Sequence, residues 1–503
     1  MAILGRVKMS ESPNILISKS RYLSGLRCDK LLWYTYHRKD LFPPHDKATL
    51  GRFTQGHEIG ELATRRFPGG QEAAPGKYYA GDTVPSTKDL LGKRIPIFEA
   101  GFVHGAAYVL VDVLDPVDEN QWDLYEVKST TRYSPEKHLA DVAIQKYTVE
   151  GNGLSVRNCY LMHVNNQYIR KGEVDPETLL TAEEITDDVD VFIDRLGGDL
   201  DRMLGIIQKK DCPEVAIGPH CFEIRKCDLC SVCWEAMPEH HPVTLYSGKK
   251  KGFELIARGI NDLKDIGREV PLTGRQRIQV DAIRRGEAIV DSRQVSDFLA
   301  SLEYPLSFLD FETLGSAVPL YNGTRPYQSI PFQYSLHVVT EPGAGPVHHA
   351  FLAEGPDDPR PSLQKALMEA LPLTGSVLAY NASFEKGILR ALADLDPFCR
   401  AWVEDVNPRV VDLLVPFQSF AVYHPAQHGS ASMKNVLPAL TGVNYEGIDM
   451  GGEEAGYEFI RVTYSDVGDE EVKTVRATME EYCKLDTLGM IYLVETLQNL
   501  IES

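Results

Sequence analysis

Residues 308–314, FLDFETL, combine an apolar run with two carboxylates placed two positions apart. In a β-strand the side chains at positions i and i+2 point to the same face, so Asp310 and Glu312 should project side by side. Two like charges that are half buried repel each other unless a partner neutralises them. A divalent cation is a suitable partner, because hard cations prefer carboxylate oxygens. The alternative is a strand end whose two acids face water.

The chain has 503 residues, which favours two to four domains over a single one. We expect three segments: residues 13–240, a basic helical connector at 241–300, and residues 301–503. From Pro305 onward, strand, loop, strand and helix alternate in the way that is typical of an α/β domain.

Hydrophobic periodicity predicts the elements of the first segment. Two apolar β runs, at 106–116 and 122–130, are joined by a polar turn and predict a hairpin. The other predicted elements are mainly helical residues at 13–75, a helix at 135–151 that ends at a glycine, a strand at 158–165, and one long acidic amphipathic helix at 181–208.

Charge is distributed unevenly along the chain, whose net charge is −20. Residues 301–503 hold 28 acidic and 12 basic side chains, whereas residues 1–300 hold 44 and 40. The overall charge argues against binding nucleic acid through bulk electrostatics. If a polyanion is bound, we expect the first segment and the connector to do most of the holding.

The chain contains no apolar run long enough to span a membrane, and its N-terminus lacks the features of a secretory signal. We therefore expect a soluble, cytoplasmic protein. Five of its nine cysteines fall between residues 212 and 233. In a cytosolic chain such a cluster points to metal binding, and disulfides are not expected.

The predicted hairpin carries a first set of chemical groups. Asp112 lies in one β run, and Glu126 and Lys128 lie two apart in the next, so they share a face. The two acids could hold Mg²⁺ or Mn²⁺, and the lysine could position water or stabilise the charge that develops on a phosphate. The alternative is an exposed Glu–Lys ion pair, which is common on strands.

A second set follows FLDFETL. Glu385 opens a predicted helix, and Tyr482 and Asp486 stand four apart, so that they share one helix face. Asp412 is a further candidate ligand, or else an ordinary acid at a strand end. Lys434 begins a helix after a Ser/Gly-rich turn, where it could contact a phosphate or be simply solvated.

The ordered set His57, Asp112, Glu126, Lys128 and Gln145 resembles the PD-(D/E)XK nuclease superfamily, specifically its RecB-like branch. The resemblance implies a restriction-endonuclease-like fold for residues 13–240. It also implies a [4Fe–4S] cluster that closes the domain, with one cysteine before the nuclease core and three after it.

These four ligands would be Cys28, Cys221, Cys227 and Cys233, with Cys230 able to replace one of the last three. The alternative is a tetrathiolate zinc site built from the local cysteines, with Cys28 free. The remaining cysteines are expected to be ordinary buried or incidental thiols, namely Cys159, Cys212, Cys399 and Cys483.

Residues 301–503 resemble the DEDD exonucleases of the ribonuclease-H-like, DnaQ-like fold. Asp310 and Glu312 match the first motif, and Tyr482 and Asp486 match the last. Glu385 stands where the family usually has Asp, and the extra methylene shifts that carboxylate. The resemblance implies two-metal catalysis and removal of nucleotides from 3′ ends.

The combination resembles a bacterial family that fuses an iron–sulfur RecB-like domain to a DEDD-type domain. It implies a metal-dependent nuclease that acts on single-stranded DNA or RNA, with a possible second nuclease site in the first domain. The rival hypothesis is a nucleic-acid-binding or redox-responsive assembly protein with degenerate nuclease folds and a structural Fe–S or zinc site.

Overall fold

The computed structural model describes residues 15–118, 120–395 and 397–502. Residues 1–14, which form most of the stretch where the sequence predicts no secretory signal, lie outside this part. The chain divides into two compact units. The first unit comprises the residues up to His45, Arg52–Glu235 and Ser316–Tyr327, and the second comprises Asp46–Gly51, Ala236–Gly315 and Gln328 onward. By this division residues 241–300, predicted as a connector, belong to the second unit.

The first unit is built on a mixed sheet. Its strands are β1 (Ile17–Ser18), β2 (Gln71–Glu72), β3 (Ile97–His104), β4 (Ala107–Pro116), β5 (Gln121–Lys128), β6 (Ser155–Val164) and β7 (Leu180–Glu184). The strands are ordered β2-β3-β4-β5-β6-β7, and β1 pairs in parallel with β4. The predicted hairpin is confirmed, because β4 and β5 pair antiparallel with Val113 opposite Tyr125.

Helices cover this sheet and bury an apolar core against it. They are α1 (Lys19–Arg27), α2 (Asp29–His37), α3 (Lys47–Thr64), α4 (Ala80–Leu91), α5 (Pro135–Glu150), α6 (Pro176–Leu179), α7 (Thr186–Ile193), α8 (Leu196–Ile207) and α9 (Cys230–Cys233). The first five residues of α3, 47–51, belong to the second unit. The fully buried Trp122 and Val111 lie at the core. The predictions of mainly helical residues at 13–75 and of a helix at 135–151 are confirmed.

The single helix predicted at 181–208 is wrong. Residues 180–184 form β7, which pairs antiparallel with β6 at the edge of the sheet, and the helical part is divided into α7 and α8. The chain bends around Asp194 and Arg195, just before Gly197 and Gly198, where glycine lowers helix propensity. The hydrophobic periodicity of residues 181–208 is helical throughout, but at the N-terminal end of this segment the chain pairs with the edge of β6 and forms a strand instead.

The second unit is a mixed α/β unit around a smaller sheet. Its strands are β8 (Ile289–Val290), β9 (Leu306–Leu314), β10 (Ile330–Val339), β11 (Val347–Leu352), β12 (Val377–Ala379), β13 (Val410–Asp412) and β14 (Val422–Tyr423). The main sheet has the order β11-β10-β9-β12-β13. β9, β10 and β11 pair antiparallel in sequence, whereas β12 pairs in parallel with both β9 and β13.

Most helices of the second unit pack on the two faces of this sheet, whereas the helices at 249–257 and 274–285 form a separate apolar cluster. The helices of this unit are α10 (Lys249–Ala257), α11 (Gly274–Arg285), α12 (Ser292–Ala300), α13 (Arg360–Ala370), α14 (Ser383–Ala393), α15 (Pro397–Val406), α16 (Val415–Gln418), α17 (Met433–Thr441), α18 (Gly452–Tyr464) and α19 (Asp469–Glu502). Two apolar clusters form the core, one centred on Leu309 and Leu389 and the other on Phe308 and Met490. Among the described residues, no helix combines the length and the apolar character that crossing a membrane requires.

Buried hydrogen bonds attach α19 to β10. The Thr487 hydroxyl lies 2.7 Å from Ser335 Oγ and 2.8 Å from His337 Nδ1. Two turns before Asp486, Gln333 Nε2 donates to the Met479 carbonyl at 3.0 Å. Since the side chains of Thr487, Ser335 and His337 are all buried, these bonds hold α19 at a fixed height over the sheet.

We expect Thr487→Val to lower the free energy of unfolding of the second unit by about 1–3 kcal/mol, because two buried polar partners lose their hydrogen bond. Thermal unfolding followed by circular dichroism measures this change. Thr474→Val on the same helix is the matched control, since Thr474 is exposed and bonds only to the Glu470 carbonyl. Equal effects of the two substitutions would contradict the proposed anchoring role.

Candidate active sites

Three elements of the second unit direct acidic side chains into one open cleft. Asp310 and Glu312 lie on β9, Glu385 lies in the first turn of α14, and Tyr482 and Asp486 lie on α19. All five residues line a cavity of about 450 Å³. The structure therefore brings together the acids that the sequence predicts for this site.

The alternation of β9 explains how its two acids reach the cleft. Leu309 and Phe311 point into the apolar core, so the residues between and after them point to the opposite face. Asp310 stands opposite Ser335 of β10, and Glu312 stands opposite Gln333. β9 is the central strand of the sheet, and its pairing with β10 holds both acids in place.

Cys483 joins these acids, which the sequence did not predict. Potential ligand atoms of Asp310, Glu312 and Cys483 all lie within 4.8 Å of one another. The buried Cys483 thiol donates to Asp310 Oδ2 at 3.7 Å. Cys483 is buried, as the sequence predicts, and it also contacts an acid of the cleft. Its position between Tyr482 and Asp486 was the available signal, because it directly follows the last-motif tyrosine.

Burial and mutual repulsion make these carboxyls hard to ionise. Burial, followed by the charge of Asp486, raises the pKa of Asp310 and of Glu312 well above its usual range. Burial also raises the pKa of Asp486 to about 6, although hydrogen bonding to Tyr445 and the Lys434 charge act in the opposite direction. The cluster is thus short of positive charge at neutral pH.

Glu385 is the most isolated of the acids. Its side chain is only 2% exposed, and Oε2 has no hydrogen-bond partner among the described residues. Burial raises the pKa of Glu385 to about 8, and the nearby Asp412 adds to the effect. Asp412 Oδ1 accepts backbone N–H bonds from Asn381 at 3.0 Å and Leu414 at 2.9 Å. Asp412 does not line the cleft, so Glu385 is the better placed of the two predicted ligands.

Several groups partly offset the negative charge of the cleft. The Tyr445 hydroxyl donates to Asp486 Oδ1. The Lys434 ammonium, near the start of α17, lies 5.3 Å from the centre of the Tyr482 ring. The N-terminus of α18 also approaches the cleft, because a Cβ at Gly452 would lie 3.8 Å from Glu312 Oε2. A helix N-terminus carries partial positive charge and favours a carboxylate.

This donor set fits a hard divalent cation. It offers carboxylate oxygens from Asp310, Glu312, Glu385 and Asp486, and one of those oxygens is buried without a partner. Buried polar atoms are almost always paired, so Glu385 Oε2 is a candidate ligand atom for a cation bound in the cleft. The Cys483 thiol adds a single softer donor beside Asp310.

In the first unit the hairpin brings the predicted acids together. Asp112 lies one position beyond the pair formed by Val113 and Tyr125, so it comes opposite Glu126. Asp112 Oδ2 accepts the Val127 backbone N–H at 2.7 Å. Gln145 on α5 donates from Nε2 to Glu126 Oε2 at 2.6 Å. Lys128 pairs with Glu126, as its spacing on the strand predicts.

Two further residues complete this site. Asp141, one turn before Gln145 on α5, pairs with Lys128 Nζ at 2.8 Å. Lys19, at the start of α1, lies 2.9 Å from Glu126 Oε1 and 3.5 Å from Asp141 Oδ1. Asp141 could have been predicted from the sequence, because its i, i+4 spacing from Gln145 places both side chains on one face of α5. Lys19 reaches the site through the pairing of β1 with β4, for which the sequence offers no local signal.

His57 lies on the exposed face of α3, at the edge of this site. Its charge acts on Glu99 of β3, whose pKa is raised mainly by burial. In the described part of the chain His57 makes no hydrogen bond to Asp112 or Glu126. The structure thus brings Glu126, Lys128 and Gln145 into direct contact, places Asp112 opposite Glu126 on the neighbouring strand, and leaves His57 peripheral.

The lysines of the first site determine how its acids ionise. Burial opposes ionisation of Glu126, but Lys128 and Lys19 together hold its pKa well below the usual range. Burial and the Glu126 charge raise the pKa of Asp112 to about 7. Glu126 is therefore ionised and paired at neutral pH, whereas Asp112 gains or loses its proton close to neutral pH.

Five cysteines from two distant segments line one largely apolar cavity, namely Cys28, Cys221, Cys227, Cys230 and Cys233. Arg27 joins the segments, since its guanidinium donates to the carbonyls of His220 at 2.8 Å and Cys221 at 2.9 Å. Burial raises the pKa of Cys28, Cys230 and Cys233. The structure gathers all the predicted ligands and includes Cys230 among them.

Residues 307–432 match a family model described as a domain of unknown function, DUF2779. The match includes Asp310, Glu312, Glu385 and Asp412 and ends before Lys434. Comparison of the chain with curated proteins returns no match. The comparisons therefore assign no activity, and the geometry of the sites has to carry the functional inference.

We expect Glu385→Gln to stabilise the metal-free protein at pH 8 but not at pH 5. The folded-state pKa of Glu385 is raised to about 8, so the native state holds this proton more tightly than the unfolded chain does. The resulting stability is present below the unfolded-state pKa and is lost as pH rises through about 8, at about 1.4 kcal/mol per pKa unit. Glutamine does not titrate and escapes this loss.

The measurement is the difference in melting temperature between variant and wild type, taken in EDTA across this pH range. The exposed Glu404→Gln, in the same unit, serves as control and should show no pH-dependent difference. A Glu385→Gln difference that stays constant with pH would refute the assignment of a protonated, buried Glu385.

Proposed function

We propose that the protein is a metal-dependent nuclease whose second unit is a DEDD-type 3′–5′ exonuclease with a ribonuclease-H-like fold, acting on single-stranded nucleic acid. The convergence of Asp310, Glu312, Glu385 and Asp486 on one open cleft, with an unpartnered buried oxygen on Glu385, is the observation that carries this proposal. The strand order β11-β10-β9-β12-β13 is compatible with it.

The side chains around the acids have roles in this proposal. Bound divalent cations would lower the pKa of a water molecule and offset negative charge on the phosphate. Tyr482 orients the attacking water through its hydroxyl. Lys434, whose ammonium stands over the Tyr482 ring, contacts the phosphate. The buried acids keep their geometry because they are mounted on β9 and on the two helices α14 and α19.

Aromatic side chains in the cleft favour a nucleotide substrate. Tyr380, Phe384 and Tyr457 line it together with the acids, and the Phe384 side chain is 39% exposed. Exposed aromatic faces stack on nucleobases with little sequence preference. Stacking requires unpaired bases, which is why we propose a single strand as the substrate.

For the first unit we propose a PD-(D/E)XK fold of the RecB-like type that binds the polynucleotide and has a second, possible nuclease site at Asp112, Glu126 and Lys128. The contacts of Glu126 with Lys128 and Gln145, and the position of Asp112 opposite Glu126, support the assignment. Residues 1–300 carry nearly as many basic as acidic side chains, which suits the holding of a polyanion better than the acidic remainder does.

We further propose that the cysteines hold a [4Fe–4S] cluster. A cluster held by Cys28 and by cysteines of the 221–233 segment would join two distant parts of the chain, and thiolates suit it chemically.

Asp310→Asn should reduce 3′-end trimming by at least about a hundredfold, because losing a carboxylate ligand weakens transition-state charge stabilisation by several kcal/mol. The assay follows 5′- and 3′-labelled single-stranded DNA and RNA in Mn²⁺. Lys128→Ala is the comparison, and it should leave trimming by the second unit intact.

Loss of trimming only in Lys128→Ala would move the activity to the first unit. If the intact protein cuts neither DNA nor RNA with Mg²⁺ or Mn²⁺, the proposed activity is wrong. The rival hypothesis of a nucleic-acid-binding or redox-responsive assembly protein would then be favoured.

Cys28→Ser should abolish the iron content of anaerobically purified protein together with its visible charge-transfer absorption, because this ligand joins the two segments. Cys212→Ser is the control for loss of a nearby thiol that does not line the cavity. Cys230→Ser and Cys227→Ser, measured in parallel, identify the ligand set. Zinc without iron in the wild type would refute the cluster.

A further inference from the structure

Lys19 lies against the carboxylates of the first site, where a set of metal ligands would not require a lysine. Its ammonium lies 2.9 Å from Glu126 Oε1, 3.0 Å from Glu126 Oε2 and 3.5 Å from Asp141 Oδ1. It thus bridges two carboxylates that come from β5 and from α5. Lys128 already supplies one positive charge to the same pair.

These contacts use the whole acceptor capacity of Glu126. Oε1 accepts from Lys19 and Lys128, and Oε2 accepts from Lys19 and Gln145. A carboxylate oxygen has two lone-pair sites, so both oxygens of Glu126 are fully engaged. A divalent cation can reach this carboxylate only if one of these donors leaves.

Gln145 is fully buried on α5, whereas the side chains of Lys19 and Lys128 keep 24% and 30% of their exposure, so either lysine can leave more easily than Gln145. Lys128 stands two residues from Glu126 on the same strand, β5, whereas Lys19 reaches Glu126 from the start of α1, so Lys19 can leave without disturbing the pair on β5. Its long stem can carry the ammonium toward solvent without moving the sheet. A phosphate group is a strong acceptor for a lysine ammonium and would draw it outward.

We propose that Lys19 gates the first site: its ammonium neutralises Glu126 and Asp141 in the free protein, and a divalent cation binds there once a phosphate of the polynucleotide has drawn Lys19 away. The proposal rests on the nuclease assignment of the first unit and is independent of the exonuclease assignment of the second. Under this proposal, a divalent cation binds to the first site only after the polynucleotide has bound.

The test measures Mn²⁺ binding to the full chain by electron paramagnetic resonance, in a background of Asp310→Asn and Asp486→Asn that disables the second site. Lys19→Met should bind Mn²⁺ at least tenfold more tightly than the parent. Lys146→Met is the matched control, because Lys146 also pairs with an aspartate, Asp190, but makes no contact with Glu126. The control should bind Mn²⁺ within twofold of the parent.

A second comparison covers the case in which Lys19→Met does not fold. Lys19→Met combined with Asp141→Asn removes one positive and one negative charge together, and it should bind Mn²⁺ at least tenfold more tightly than Asp141→Asn alone. Equal or weaker binding in the variants that lack Lys19 overturns the proposal, as does the absence of Mn²⁺ binding in all of them. Neither result bears on 3′-end trimming by the second unit.

A single-stranded oligonucleotide supplies the third arm. In the parent protein it should tighten Mn²⁺ binding at least threefold, since its phosphates compete for Lys19. In Lys19→Met the oligonucleotide should leave Mn²⁺ affinity unchanged. The same tightening in both proteins would mean that the phosphates act as metal ligands themselves, and it would overturn the gate.

Discussion

Burying several carboxylates side by side is the constraint on which both candidate sites depend. Removing a carboxylate from water disfavours its charged form, and each neighbour of like charge adds to the cost. The two units meet this cost differently. In the first unit, Lys19 and Lys128 contact Glu126 and Asp141 directly. In the second unit, Asp486 receives a phenol hydrogen bond, Asp310 a thiol, and Lys434 stands farther away. The first site is therefore close to internal neutrality, whereas the acids of the second carry an excess of negative charge whenever they ionise.

Such an excess must be held in place by the scaffold. The acids of the second unit come from β9, α14 and α19, so their repulsion acts to separate these three elements. The buried bonds between Thr487 and its partners on β10 oppose that separation for α19. α18 is held close to β9 in another way, because Gly456 allows contact where a Cβ would come within 2.8 Å of the Thr313 carbonyl. That approach also brings the N-terminus of α18 toward Glu312.

Local patterns allowed much of this to be predicted. Alternation along β9 and the i, i+4 spacing on α19 fixed which faces Asp310, Glu312, Tyr482 and Asp486 share, and a hairpin signal placed Asp112 beside Glu126. The site residues that local patterns do not reveal are brought in by contacts between segments that are distant in the sequence. Lys19 precedes Glu126 by 107 residues and reaches it only because β1 joins β4. Cys483 could be read as core because free cysteine is usually buried, and only packing of α19 against β9 shows its contact with Asp310. The sequence does not predict β7, because the formation of an edge strand depends more on pairing with its neighbour than on its own hydrophobic periodicity.

The acidity of residues 301–503 is compatible with a polyanionic substrate once the positions of the charges are considered. Net charge describes the far field, whereas a strand entering a cleft responds to the local potential. Within this segment, Lys386 and Arg390 of α14 line a second cavity of about 520 Å³, which two acids also line, Asp394 and Glu404. Lys434 stands over the aromatic rings of the acidic cleft. Under the proposed function, Lys434 is the basic side chain placed to meet a phosphate in this cleft. Binding of a strand would then be sensitive to salt, since a few local contacts must outweigh a repulsive background.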